Sequence, residues 1–265
     1  MIPMAEPFVE TETCRTKCRW VARVFREFNR PRTTVRSLFY HALRRGEPDY
    51  PICGGFVGEI RVTRQFDESD ASRLVKWATL ASELGYIPHD AILEEVPGIN
   101  VLIPDRMPTG AGVELWIDRS AFNSLIWPVC KRYEITLVSV SGARLDDALR
   151  DLRNRAIGKD MLLLCMADLS PAGLSFVRAL EDAVSGLGMR MTHIALTPEQ
   201  VARLQIPMVR ADKRATDRGY RELLKSAGLD GRMMAELDAL EACYPGGIAC
   251  FLESLIREHA MVART

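Results

Sequence analysis

One stretch decides the fold class of this chain: Met161-Leu-Leu-Leu-Cys-Met-Ala-Asp168-Leu-Ser170-Pro-Ala-Gly173. A continuous apolar run stops at a carboxylate and then passes through Ser, Pro and Gly into a segment with a helical pattern. Continuous apolar runs are typical of strands buried on both faces of a parallel sheet, and such sheets bind ligands at the carboxyl ends of their strands. Asp168 is therefore predicted to lie where a site would form.

Strand and helix patterns alternate on both sides of this stretch. The predicted strands are 113–118, 135–140, 161–167 and 189–195, and the predicted helices are 120–133, 145–155 and 174–187. A capping box at Thr197-Pro-Glu-Gln200 predicts the start of one more helix. Regular alternation of this kind predicts an α/β fold, with a parallel sheet flanked by helices.

The N-terminal third has a basic face and a different pattern. Its cations between residues 15 and 45 are Arg15, Lys17, Arg19, Arg23, Arg26, Arg30, Arg32, Arg36, Arg44 and Arg45. Helices are predicted over 12–28, after an N-cap at Thr33 or Thr34, and from Asp67 or Ser69 to Leu84. Prolines and glycines concentrate between the 90s and residue 112, which predicts two domains, 1–108 and 109–265.

The overall composition is that of an ordinary globular protein. Lys plus Arg and Asp plus Glu both number 35, so the chain has no global basic field and any nucleic-acid binding must come from a local patch. Seven cysteines at irregular spacings are typical of reduced thiols in a cytoplasmic protein. The sequence shows no signal peptide pattern and no apolar stretch of membrane-spanning length, so we expect no membrane association.

Two acids follow predicted strands at equivalent positions, Asp118 after the first and Asp168 after the third. Carboxylates at one edge of a sheet can hold a hard divalent cation, and Mg²⁺ needs only one or two of them together with water and substrate phosphate. The alternative is that both acids cap the helices that follow them, because acids favour helix N-termini. Spacing alone leaves both interpretations open.

The order of motifs resembles the Toprim domain. It is most similar to Toprim proteins related to the A subunit of topoisomerase VI and to the meiotic double-strand-break transesterase, in their bacterial and phage branch. The matching blocks are Thr34-Val-Arg36-Ser-Leu-Phe39-Tyr40, Glu114-Leu-Trp-Ile-Asp118-Arg119, the Gly142 turn, Asp168-Leu-Ser170-Pro-Ala-Gly173, Ile194-Ala-Leu-Thr-Pro-Glu-Gln200 and Glu236-Leu-Asp-Ala-Leu240. The resemblance implies a winged-helix-like DNA-binding domain followed by a Toprim-like domain, with DNA as the partner and a homodimer or partner subunit.

Roles in catalysis follow from this resemblance by position. Asp118 matches the family's acid/base glutamate, and Arg119 matches the lysine after it. Tyr40 lies at or near the tyrosine that attacks the DNA phosphate, with Arg36 one helical turn before it. A phenol needs activation by a base, a cation or a metal to act as a nucleophile at neutral pH. Without the resemblance, Tyr40 would be interpreted as a core or interface aromatic.

The implied cofactor is Mg²⁺, held by Asp118, Asp168 and Ser170. Asp168 matches the first acid of the family's Asp-x-Asp motif and Ser170 stands in place of the second, which removes an anionic ligand. The side chain of Asp118 is one methylene shorter than that of the family's glutamate. Arg119 carries a planar guanidinium where the family has the ammonium of a lysine. These departures predict a weakened or repurposed centre.

Three functions remain open from the sequence. The first is Mg²⁺-dependent DNA cleavage, in which Tyr40 forms a covalent bond to a backbone phosphate. The second is a degenerate protein that binds DNA or protein, without cleavage, as a subunit of a larger assembly. The third is metal-dependent hydrolysis that does not use Tyr40.

Overall fold

The computed structural model describes residues 11–46, 50–51, 53–57, 60–105, 111–141, 145–156, 160–185, 187, 189–212 and 218–262. The chain divides into two compact units, Met1–Leu93 and Glu94–Thr265. The predicted Gly142 turn lies outside the described residues. Each unit is described separately below.

The first unit is built from helices and short strand pairs. Its elements in chain order are α1 (Glu12–Phe28), β1 (Thr33–Thr34), α2 (Val35–Arg45), β2 (Cys53–Val57), β3 (Ile60–Thr63), α3 (Ala71–Glu83) and β4 (Ile92–Leu93). Strands β2 and β3 form an antiparallel hairpin, and β1 pairs with β4 in parallel. All three predicted helices are present, and α1 has the predicted bounds.

Local capping explains where α1 and α2 begin and end. The Thr11 hydroxyl accepts from the backbone N–H of Cys14 at 3.2 Å, and the Thr34 hydroxyl accepts from that of Ser37 at 2.9 Å. Asn29 ends α1 in the left-handed conformation, with φ of 54°. The hydroxyls of Thr11 and Thr34 thus satisfy backbone N–H donors that have no partner within the helix.

Aromatic rings form the core of the first unit. Trp20, Tyr50, Phe66 and Trp77 contact one another, with ring centroids 5.2 to 5.9 Å apart. The Tyr50 hydroxyl donates to the fully buried Asp70 at 2.7 Å. A buried carboxylate is tolerated only where donors and cations compensate its charge.

Those compensating groups come from both sides of Asp70 in the sequence. Arg73 donates to its Oδ1 at 2.6 Å, and Arg64 donates to the same oxygen. The backbone N–H of Asp67 donates to Oδ2 at 3.0 Å. Asp70 therefore connects the aromatic core to the start of α3.

Replacing Asp70 with alanine should lower the free energy of unfolding of the first unit by about 3 to 5 kcal/mol, because Tyr50 loses its acceptor and Arg64 its buried partner. Hydrogen exchange of the amides of α1, α2 and α3 measures this. The control is Asp67→Asn, which keeps a capping oxygen at an exposed position and should change little. Equal losses in both variants would contradict the assigned role of Asp70.

The second unit contains a five-stranded sheet. Its strands are β5 (Gly98–Leu102), β6 (Ala111–Ile117), β7 (Thr136–Ser141), β8 (Asp160–Met166) and β9 (Arg190–Ala195), in the spatial order β5-β7-β6-β8-β9. All neighbouring pairs are parallel except β5 with β7. Four helices follow strands of the sheet: α4 (Asn123–Arg132), α5 (Leu145–Ala156), α6 (Pro171–Ser185) and α7 (Pro198–Leu204). The predicted α/β class, with a mostly parallel sheet flanked by helices, is confirmed.

The second unit begins earlier than the predicted domain boundary at 108/109. Strand β5 lies inside the segment that was interpreted as a linker because of its many prolines and glycines. It pairs along its length with β7, from Gly98 opposite Ser141 to Leu102 opposite Leu137. This short antiparallel edge strand is not part of the alternation of strands and helices from which the other strands were predicted. The prolines and glycines around it were therefore the stronger signal, and they indicated a linker.

A buried ion pair joins α5 to the sheet. Glu114 of β6 accepts from Arg155 of α5 at 2.9 Å (Nε to Oε1) and 3.0 Å (Nη2 to Oε2). Trp116 donates its ring N–H to Glu114 at 2.8 Å. Glu114 therefore has a structural partner on each side, and it lies before the strand end where Asp118 follows.

The chain after α7 continues with further strands and helices. They are β10 (Val209–Arg210), α8 (Arg218–Ser226), β11 (Met233–Met234), α9 (Leu237–Cys243) and α10 (Gly247–Val262), and β10 pairs with β11 antiparallel. Glu241 of α9 is buried and accepts from the backbone N–H of Ile248 at 2.6 Å. Within the described ranges no single helix is long and apolar enough to span a membrane, while α9 and residues 247–258, bent by 95°, pass that test only as a pair.

Candidate functional site

The predicted acids lie at one edge of the sheet of the second unit. Strands β6 and β8 are parallel neighbours, with Ile117 opposite Met166. Asp118 follows β6 directly, and Asp168 comes two residues after the end of β8. The sequence therefore placed both carboxylates correctly relative to the strands.

Arg119 lies among three carboxylates. Its Nη2 donates to Oδ2 of Asp168 at 2.8 Å. Its Nη1 is 3.7 Å from Oδ2 of Asp238 and 3.8 Å from Oε1 of Glu95. Burial by itself lowers the pKa of Arg119, but the charges of Asp168 and Asp238 outweigh burial and raise it. We call Glu95, Arg119, Asp168 and Asp238 the Arg119 cluster.

Asp168 uses both of its oxygens. Oδ2 accepts from Arg119, and Oδ1 accepts from the backbone N–H of Leu237, the first residue of α9, at 2.7 Å. A second contact joins the same segments, because the N–H of Ala235 donates to the carbonyl of Leu169 at 3.1 Å. Asp168 therefore connects the end of β8 both to the end of β6 and to α9.

Asp118 has a buried carboxyl oxygen at this edge, as does Asp238. The Oδ1 of Asp118 has no hydrogen-bond partner among the residues that the structure describes. Burial, and next the negative charge of Asp168, raise the pKa of Asp118 to about 8. The charged form of this carboxyl is therefore disfavoured in the folded chain.

Ser170 caps α6. Its hydroxyl accepts from the backbone N–H of Gly173 at 3.0 Å, and its own N–H donates to the carbonyl of Asp168 at 2.8 Å. A Cβ on Gly173 would overlap that same carbonyl, so the tight turn requires glycine here. The Ser-Pro-Ala-Gly sequence is explained by this turn.

The alternative in which Asp118 and Asp168 cap the following helices is wrong for both residues. Ser170 caps α6, whereas Asp168 binds the start of α9. After Asp118, the 3-10 turn Ser120–Phe122 is capped by Glu95, whose Oε2 accepts from the backbone N–H of Ser120 at 2.8 Å. Glu95 is far from this turn in the sequence, so local spacing could not reveal it.

The residues predicted to hold Mg²⁺ do not fit that ion. Mg²⁺ requires oxygen ligands in near-octahedral geometry, and a cation that already lies among the carboxylates opposes its binding. Both oxygens of Asp168 accept from N–H donors, the Ser170 hydroxyl accepts from Gly173, and the Arg119 guanidinium lies between the carboxylates. Across the described part of the chain, no group of three or more His, Cys, Asp or Glu side chains is arranged to hold a metal ion.

Tyr40 and Arg36 lie together on α2, in the first unit. Arg36 Nη2 is 3.3 Å from the Tyr40 hydroxyl, and its guanidinium lies 5.0 Å from the centre of the Tyr40 ring and 4.6 Å from that of Phe39. Tyr40 is fully buried. Its environment is that of a core aromatic, and its role as a nucleophile stays a prediction.

Sequence reasoning missed Glu95 and Asp238 as members of this site. Asp238 lies in the Glu236-Leu-Asp-Ala-Leu240 block, which was noticed for its resemblance but given no role. Glu95 lies beside the proline and glycine segment interpreted as a linker. Only the packing of α9 and of the segment before β5 against the sheet edge brings them to Arg119.

The raised pKa of Asp118 predicts a pH-dependent stability. Between its ordinary value of 3.8 and about 8, the folded state binds more protons at this carboxyl than the unfolded state does. The free energy of unfolding should therefore fall as pH rises through this window, by at most about 1.4 kcal/mol per pH unit. Asp118→Asn cannot ionise, so it should decline less steeply in urea denaturation measured from pH 5 to 8.

Asp160→Asn is the matched control, because it changes an exposed aspartate at the opposite end of the same sheet. Its profile should follow that of the unmodified protein. If the Asp118→Asn profile also stays parallel to the unmodified one, Asp118 does not titrate in this window.

Neither a protein-family model nor a curated protein matches this chain. The Toprim resemblance therefore depends on the motif blocks quoted above.

Proposed function

We propose that this chain is a cytoplasmic, Toprim-like protein that binds DNA without cleaving it, as a homodimer or as a subunit of a larger assembly. DNA as the partner rests on the resemblance and on the cations between residues 15 and 45 of the first unit. The absence of cleavage rests on one observation, the engagement of both Asp168 oxygens by Arg119 and by Leu237.

Cleavage of a phosphodiester needs a nucleophile and a cation that offsets the charge developing on the phosphate. In the first unit, the candidate nucleophile Tyr40 is enclosed by its core. In the second unit, the carboxylate that would recruit the cation already has donors on both oxygens. The guanidinium of Arg119 is directed at carboxylates, so it is not presented as a phosphate-binding fork.

Binding to DNA needs only exposed cations that can replace counterions along the backbone. Arg26 near the end of α1 and Arg44 near the end of α2 are both exposed. Arg19 exposes 66% of its side chain, although it lies 3.7 Å from Glu12. The first unit therefore has local positive charge, even though the whole chain is neutral.

A gel-shift titration against salt tests the DNA-binding part. The unmodified protein should retain duplex DNA at low salt, and log Kobs should fall linearly with log salt. The double variant Arg26→Ala/Arg44→Ala should make that slope shallower by about 2, because each lost phosphate contact removes roughly one unit. The control Arg190→Ala removes an exposed arginine from the second unit and should leave the slope unchanged. No retention of DNA at low salt would refute this part.

Incubation with supercoiled plasmid tests the part that excludes cleavage. Neither Mg²⁺ nor Mn²⁺ should support nicking or linearisation. Nicking that Asp168→Ala abolishes would contradict the proposal and favour metal-dependent chemistry. In that case, loss of nicking in Tyr40→Phe as well would indicate the covalent route, and its persistence would indicate hydrolysis.

A further inference from the structure

We propose that the guanidinium of Arg119 is a built-in replacement for a divalent cation, and that it holds the carboxylate edge of the sheet together as a bound metal would. The Mg²⁺ that the resemblance implies does not fit this edge, and Arg119 explains why. The proposal concerns the second unit alone and does not depend on DNA binding.

The first support is that Arg119 connects segments that are distant in the sequence. Its partners come from the segment before β5, the end of β8 and the first turn of α9: Glu95, Asp168 and Asp238. Arg119 itself follows β6. One guanidinium thus makes a hydrogen bond to Asp168 and lies within 3.8 Å of carboxylates from two further segments. A structural metal ion likewise draws its ligands from separate parts of a chain.

Burial is the second support. Asp168 and Asp238 expose 7% and 1% of their surface. Carboxylates this deeply buried need a compensating positive charge, because removal from water disfavours the charged form. The Arg119 side chain is only 28% exposed, so solvent screens the interaction weakly.

The shape of the guanidinium is the third support. Its two terminal nitrogens point in different directions, so Nη2 reaches Asp168 while Nη1 faces Asp238 and Glu95. A lysine ammonium is a compact charge on a flexible stem and could not address these separate oxygens from the same position in the same way. Arginine at position 119 is therefore suited to a fixed internal cation.

With Arg119 in place, no three acids among the described residues are arranged to hold a metal ion. If the proposal is correct, removing the guanidinium should allow the carboxylates of the cluster to move together around a divalent cation. The carboxylate oxygens of Glu95, Asp168 and Asp238 would then lack their shared cation, and hard divalent ions prefer oxygen ligands of this kind. Arg119→Ala should lower Tm relative to the unmodified protein when the buffer contains a chelator. Mn²⁺ should restore part of that loss.

The test uses the full chain, with Mn²⁺ as the probe. With Mn²⁺ at about 100 times its Kd, Tm of Arg119→Ala should rise by roughly 5 to 10 °C. Electron paramagnetic resonance should detect bound Mn²⁺ in Arg119→Ala and lose that signal in Arg119→Ala/Asp168→Asn. The matched control is Arg155→Met, which removes another partly buried arginine but leaves one carboxylate, that of Glu114. It should lose stability and gain no Mn²⁺ binding.

Titration of the unmodified protein keeps the proposal testable even if Arg119→Ala does not fold. If the unmodified protein binds any Mn²⁺, that binding should not depend on Asp168. The Asp168→Asn variant should therefore give the same Mn²⁺ titration. Mn²⁺ binding that depends on Asp168 while Arg119 is intact would overturn the proposal. So would a folded Arg119→Ala variant that keeps its full Tm in chelator, or one that gains no Mn²⁺ binding.

Discussion

The second unit depends on the charge-assisted hydrogen bond between Arg119 and Asp168. Such bonds are stronger than neutral ones, and burial reduces the screening that weakens surface ion pairs. The bond joins the ends of two neighbouring parallel strands at the edge where α/β proteins build their sites. The same carboxylate also binds the first turn of α9, so one side chain determines how the sheet edge and the C-terminal helices meet.

This arrangement gives the edge a different character from the metal centre that its sequence resembles. A metal site needs carboxylates whose lone pairs are available and whose charge is not yet compensated. Here burial raises the pKa of Asp168 and the Arg119 guanidinium offsets part of that rise, while burial and the charge of Asp168 raise the pKa of Asp118.

The sequence predicted the regular parts of the fold because they carry local signals. Thr34 and Thr197 are N-cap residues that mark where their helices begin. The apolar run that begins at Met161 has the pattern of a central strand. Strand β5 was missed because five residues among prolines and glycines carry no such signal. Asp118 and Asp168 were located from strand ends, but their partners were not. Glu95 and Asp238 reach Arg119 only through tertiary packing, which no periodicity in the chain records.

The bond between Asp168 and Leu237 spans 69 residues, and this has a consequence for the order of events during synthesis. All five strands of the sheet precede residue 196, so they emerge from the ribosome before α9 does. Until α9 has been made, one oxygen of Asp168 lacks its backbone donor and Arg119 lacks Asp238. Domains fold as units during translation, so the sheet edge of a nascent chain is incomplete until its C-terminal helices arrive.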